Sequence, residues 1–116
     1  MKKNLPVHNE EVIFDEELIS TTDLKGIITS YNNAFQNVSG FEPEELLHKN
    51  HNVIRHPDMP SAAFADMWSN LKSGKHWMGM VKNRTKKGAY YWVDAYVTPI
   101  FENDTLIGYE SVRAKP

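Results

Sequence analysis

Apolar and polar positions follow two different periods along this chain, and the places where the period changes mark out its elements. Leu18 to Thr22 and Ile27 to Tyr31 are short β-type runs joined by Asp23-Leu24-Lys25-Gly26, a turn ending in glycine, so the pattern predicts a hairpin. Asn32 is suited to cap a helix, because its side-chain oxygen can accept an otherwise orphaned amide of the first turn, and that helix is expected to run to Ser39 and stop at Gly40. Pro43 suits the first turn of a second short helix over Glu44 to Leu47. Phe64, Met67, Trp68 and Leu71 recur at i, i+3, i+4 and i+7, which predicts one buried stripe on a helix from about Pro60 to Lys72, capped by Asp58 or Met59 and ended by Gly74.

After Gly74 the period returns to two. Trp77, Gly79, Val81 and Asn83 share one face of a strand over Trp77 to Arg84. Thr85-Lys86-Lys87-Gly88 connects it to a long strand, Ala89 to Phe101, and Glu102-Asn103-Asp104 turns into a last strand, Thr105 to Ala114. Two strands, several short helices, one longer helix and three hairpin-linked strands define an α+β domain, an antiparallel sheet carrying its helices on one face. Residues 1–17 stand apart as an N-terminal arm, with Val12, Ile13 and Phe14 set between acidic pairs; the arm is expected to cover its own domain, residues 18–116.

The densest polar cluster falls between the helical and strand-rich parts, at Asn50-His51-Asn52-Val53-Ile54-Arg55-His56-Pro57-Asp58-Met59-Pro60. Two prolines exclude a long helix here, because each lacks an amide donor and Pro57 biases His56 away from helical angles. A short helical turn followed by a stiff corner is expected, and polar side chains fixed on such a corner are placed to hold a ligand.

Composition narrows the chemistry. At 116 residues the chain suits one domain with a single core. The net charge is −2 and the basic residues are scattered. Their one local run, Lys82, Arg84, Lys86 and Lys87, straddles a predicted turn and reads as a solvated hairpin tip, so no nucleic-acid partner is expected. The sequence contains no cysteine, which excludes disulfides, thiolate nucleophiles, cysteine-ligated zinc and flavin–cysteine adducts. It shows no apolar run of membrane-spanning length, no signal peptide, no Gly-rich phosphate loop and no nucleophile with a placed base. A non-catalytic cytoplasmic module is expected, and its end just after a predicted strand is what an excised module would show. His48, His51 and His56 match no zinc spacing, so no metal site is expected, although a haem needs one axial histidine.

Asn32-Asn33-Ala34-Phe35, Val38-Ser39-Gly40-Phe41, Glu44-Glu45-Leu46-Leu47, Lys86-Lys87-Gly88 with Tyr91-Trp92-Val93, and Thr98-Pro99-Ile100 resemble a PAS domain over nearly the whole chain. Ile19 to Leu24, Val53 to Pro60, Ala62 to Trp68 and Gly79 to Arg84 look more narrowly like the sensory domain of the bacterial aerotaxis receptor family. The resemblance implies a five-stranded antiparallel PAS sheet and redox or oxygen sensing through non-covalently bound FAD. It also implies a HAMP and chemotaxis signalling domain as downstream partner, a homodimer in the full receptor, and a cytoplasmic position with membrane contact only through parts beyond this chain. A haem-binding gas sensor and a cofactor-free interaction module are the alternatives.

Against that background each candidate residue carries a distinct chemistry. Asn83 is the first candidate, since a flavin edge alternates donors and acceptors and a primary amide offers both. Trp77 suits stacking on a planar ring and equally suits a core, and Gly79 beside it leaves room for a flat ligand. Arg55, His56 and Asp58 are candidates for the ribityl, pyrophosphate and adenine end, with arginine matched to phosphate by its fork of donors; a self-satisfied corner pairing Asp58 with Arg55 is the other reading. Asn52 and His51 flank the same turn nearer the ring, and Trp68 is a core residue within reach of adenine. Arg113 falls where the light-sensing LOV branch of PAS places a glutamine, and reads as a solvated strand-end arginine.

Overall fold

The computed structural model describes residues 9–116. Five strands, β1 (Leu18–Thr22), β2 (Ile28–Tyr31), β3 (Trp77–Arg84), β4 (Tyr90–Glu102) and β5 (Thr105–Ala114), form one antiparallel sheet in the order β2-β1-β5-β4-β3. Between β2 and β3 lie three helices, α1 (Asn33–Ser39), α2 (Pro43–Leu46) and α3 (Ser61–Lys72), and a single 3-10 turn over His51–Ile54. The α+β reading and the five-stranded sheet are therefore observed.

Local signals act where the sequence places them. Asn32 Oδ1 accepts from the Phe35 amide at 3.0 Å, and Gly40 closes α1 at φ 74°, a left-handed angle that costs glycine nothing. The start of α3 differs from expectation. Pro60 is its N-cap and no side chain caps it. Asp58 instead pairs with Lys82 across 3.1 Å, and not with Arg55.

Strict alternation on β4 buries Tyr91, Val93, Ala95 and Val97 on the helix-bearing face. These join Phe14, Leu18, Ile28, Phe35, Leu46 and Ile54 in the main core, while Leu71, Val97 and Tyr109 form a second cluster; Trp77 packs against both. The described part of the arm covers its own domain. Glu11 bridges Tyr90, the Val12 amide donates to the Tyr90 carbonyl at 2.8 Å, and Phe14 meets the Tyr91 ring edge-on at 5.9 Å. The remainder of the arm lies outside the described residues.

The sheet order makes β5 a central strand, and one residue shows how tightly it meets β1. A Cβ at Gly108 would collide with the Thr22 carbonyl oxygen, a backbone atom that cannot swing aside. Gly108→Ala is accordingly expected to cost about 2 kcal/mol, the usual scale of overpacking. Urea unfolding measures this, and an unchanged midpoint would refute the close contact.

Candidate functional site

The polar stretch from Asn50 to Pro60 acquires its position from backbone bonds at both ends. At one end it is sewn to β2 and the turn before it: the Ile28 amide donates to the Lys49 carbonyl at 2.8 Å and the His51 amide to the Gly26 carbonyl at 2.9 Å. At the other end Arg55 bridges to Asn83 of β3 and the His56 amide reaches the Lys82 carbonyl at 3.4 Å. Since β2 and β3 are the two edge strands, the stretch arches across the whole face of the sheet. Prolines at both ends of the corner stiffen the far side of this arch.

Beneath the arch lies a cavity of about 440 Å³, within the size range of small-molecule sites. Its floor is the sheet: Ser20 and Thr22 of β1, Val81 and Asn83 of β3, Ala95 and Val97 of β4, and Tyr109, Ser111 and Arg113 of β5. Its roof is the arch, through Asn50, His51, Asn52, Ile54 and Arg55, and its side wall is the stripe of α3. Phe64, Met67 and Trp68 are only half-buried, because they face this cavity instead of closing on other side chains. The stripe predicted from periodicity is real, and its role is to line a site.

The candidates thus separate. Asn83, Trp77, Arg55, Asn52, His51 and Trp68 line the cavity together. His56 and Asp58 do not. His56 is buried beneath the corner with Nδ1 accepting from the Asp58 amide at 3.0 Å, and Asp58 is exposed beside Lys82. Burial, then the nearby Lys82 charge, lowers the His56 pKa.

Asn83 is 3% exposed; its Nδ2 lies near the buried Tyr91 hydroxyl, but neither atom makes a hydrogen bond of good geometry. An unpaired buried amide nitrogen costs free energy that a ligand can return. Trp77 places its ring across Gly79, where an added Cβ would lie 2.5 Å from the indole. The space expected over Gly79 for a flat ligand is therefore filled by Trp77 itself, which lines the cavity. The Trp77 indole N–H donates to Asp66 of α3 at 2.9 Å, which holds the ring in place. Arg55 lies over the Phe64 ring at 4.1 Å, a cation–π contact that fixes its guanidinium at the cavity wall.

Arg113 corrects the expectation of a solvated strand end. It is 3% exposed, on the cavity floor. Nη2 donates to Ser20 Oγ at 2.7 Å and to His51 Nε2 at 2.5 Å, Nη1 donates to the Leu18 carbonyl at 3.2 Å, and the guanidinium lies over Phe35 at 5.0 Å. All these partners are neutral, so among the described residues Arg113 is a buried cation with no carboxylate paired to it. Burial lowers its pKa to about 10, which leaves it charged at neutral pH. An arginine can only donate, so His51 Nε2 must be the acceptor and the neutral ring carries its proton on Nδ1. Burial first, and the Arg113 charge second, press the His51 pKa down to about 3. Arg84, expected at a solvated hairpin tip, is also buried, over the Phe41 ring. A signal for Arg113 did exist in the sequence: period-two alternation carried from Tyr109 through Ser111 reaches it on the same face.

A five-stranded antiparallel sheet closed over a cavity by short helices is the architecture of PAS-type sensory domains. The chain belongs to the PAS fold family, whose model matches residues 28–113. It is 49% identical over 107 residues to the aerotaxis receptor of Escherichia coli K12, a match covering 92% of this chain and 21% of that receptor. It therefore spans a minor part of the curated relatives it matches. Among solved structures, a PAS domain from Colwellia psychrerythraea superposes with a TM-score of 0.77 at 22% identity, covering 86% of each chain. A light-oxygen-voltage domain studied with a flavin analogue gives 0.79 at 17% identity, covering 87% of this chain and 78% of its own; at these identities both show the fold alone. Among the described residues no helix is long and apolar enough to cross a membrane.

Proposed function

We propose that this domain is a non-catalytic redox or oxygen sensor that binds FAD non-covalently and passes its state to signalling domains of a longer, dimeric receptor at the cytoplasmic face of a membrane. The observation that carries this reading is Asn83, a buried amide with an unpartnered nitrogen on the floor of the cavity, beside the ring of Trp77 and the aliphatic Val81 and Ala95. A flavin edge presents the alternating acceptors and donors such an amide matches. The similarity to an aerotaxis receptor supports the same choice, and with no cysteine the protein cannot form a thiol adduct on that ring.

When bound, flavin supplies electron-transfer chemistry. The protein's part is to hold the ring and to respond to its charge. Asn83 would pair with the ring edge, Trp77 and Trp68 would bound it with their faces, and Asn52 and Arg55 would meet the polar tail under the arch. Arg113, buried without a counter-ion, would favour a ring that gains negative charge, and its grip on His51 and Ser20 would loosen in step. His51 ties that change to the arch and Ser20 ties it to β1, so the charge of the ligand has a mechanical outlet.

Haem is served less well by this arrangement. His48 and His56 do not line the cavity, and the Nε2 of His51 is engaged by Arg113. The test is one absorption spectrum of the purified protein, before and after dithionite. Two visible-region flavin bands that bleach on reduction support the proposal. An intense Soret band, or a colourless protein that takes up no FAD on refolding, would overturn it.

A further inference from the structure

The charged residues lining the cavity are all of one sign. Lys25, Arg55, Lys72 and Arg113 line it, and no aspartate or glutamate does. This is not a consequence of composition, because acidic residues outnumber lysine and arginine by 15 to 13. Arg113 lies on the floor and Arg55 on the roof, whereas Lys25 and Lys72 are both exposed. Lys25 sits on the β1–β2 turn and Lys72 in the last turn of α3, one helical turn beyond Trp68. The turn and the helix meet there: a Cβ at Gly26 would lie 3.7 Å from the Trp68 ring. Lys25 and Lys72 are therefore exposed lining residues on the two elements that meet at Trp68.

Neither lysine has an ion-pair partner among the described residues. The nearest acidic side chains in sequence and on the helix are occupied elsewhere. Asp23 Oδ1 accepts the Lys25 and Ile27 amides at 2.8 and 3.0 Å, and Asp66 accepts the Trp77 indole. Asn83 is on the β3 edge of the sheet and Lys25 on the turn into β2, the opposite edge, so an FAD whose ring meets Asn83 would carry its diphosphate toward that turn.

We propose that Lys25 and Lys72 form a diphosphate-binding rim that makes this cavity specific for dinucleotide over mononucleotide or unphosphorylated flavin. The proposal rests on the flavin reading of the same site; of the three residues expected at the polar end Arg55 lines the cavity while His56 and Asp58 do not, and the proposal adds two lysines that line it. Ammonium groups on flexible stems suit a diphosphate whose oxygens they meet as point charges. Their contribution is solvent-exposed and therefore weakened by salt.

The test titrates the cofactor-stripped chain with FAD, FMN, riboflavin and ADP at low and high salt, comparing wild type with Lys25→Glu/Lys72→Glu. Circular dichroism establishes that the variant is folded. The expected result is a loss of FAD affinity of roughly tenfold or more in the variant, on the scale of two exposed ion pairs removed and reversed. Riboflavin affinity should be unchanged, and the salt dependence of FAD binding should shrink. Equal losses for FAD and riboflavin, or no loss for FAD, would overturn the rim. Failure of wild type to bind any flavin would sink the flavin reading alone if ADP still binds in a lysine-dependent way. If ADP does not bind either, both fall.

Discussion

Taken from pH 7 to pH 4, the ligand-free domain is expected to lose about 3 kcal/mol of stability through His51 alone. The folded site holds this ring neutral down to a pKa of about 3, whereas the reference value is 6.5. Below pH 6.5 the unfolded chain therefore takes up a proton that the folded chain refuses. The unfolded state binds more protons, so stability falls with pH across that window and is fully present above it. His56, also lowered, acts in the same direction. The physical cause is plain in the site: burial first disfavours a charged ring, and Nε2 already accepts from the Arg113 cation, so a second positive charge is placed beside the first. His51→Gln keeps an acceptor for Arg113 and removes the titration. Urea midpoints measured at each pH should fall more steeply for wild type than for this variant. Parallel pH profiles would show that His51 is solvated, and the account of the Arg113 pair would be wrong.

Asn83→Leu should separate binding from folding. Losing two hydrogen bonds to a bound ring at roughly 1 to 1.5 kcal/mol each amounts to about a hundredfold in affinity. Stability should hold or rise, because the amide nitrogen removed is one the protein leaves unpaired. Flavin fluorescence titration and urea unfolding on the same preparation give both quantities. A threefold or smaller loss of affinity would remove Asn83 from the ligand, and a parallel loss of stability would make it a structural residue.

What could be read from the chain and what could not divide along a physical line. Every strand was visible to within a residue or so, since alternation is a local property and turns such as Asp23 to Gly26 carry their own signals. The stripe of α3 was equally visible, yet periodicity reports only that one face is apolar. It cannot say whether Phe64, Met67 and Trp68 close on a core or wall a cavity, because that depends on what the opposite surface leaves empty. The candidates on the arch show the same limit. Adjacent residues on a corner point in different directions, so Arg55 faces the cavity while His56 and Asp58 face away.

Arg113 marks the boundary most clearly. Hairpins alone would set β3, β4 and β5 side by side with β5 at an edge, where an arginine near the strand end meets water. Pairing of β5 with β1, 18 to 22 against 113 to 109, encloses it between two strands and under the arch. That contact joins residues 93 apart in the chain, Ser20 and Arg113, and no local pattern encodes it. By itself the sequence determined the elements and their faces, the cap of α1, the exclusion of thiol chemistry and most of the residues with chemistry to offer, because each follows from neighbours along the chain. Only the tertiary structure decided which of those residues share a cavity, that its charged lining residues are all cations, and that a buried arginine on its floor meets a neutral histidine of its roof, because long-range strand pairing sets what each side chain faces and how much water it keeps.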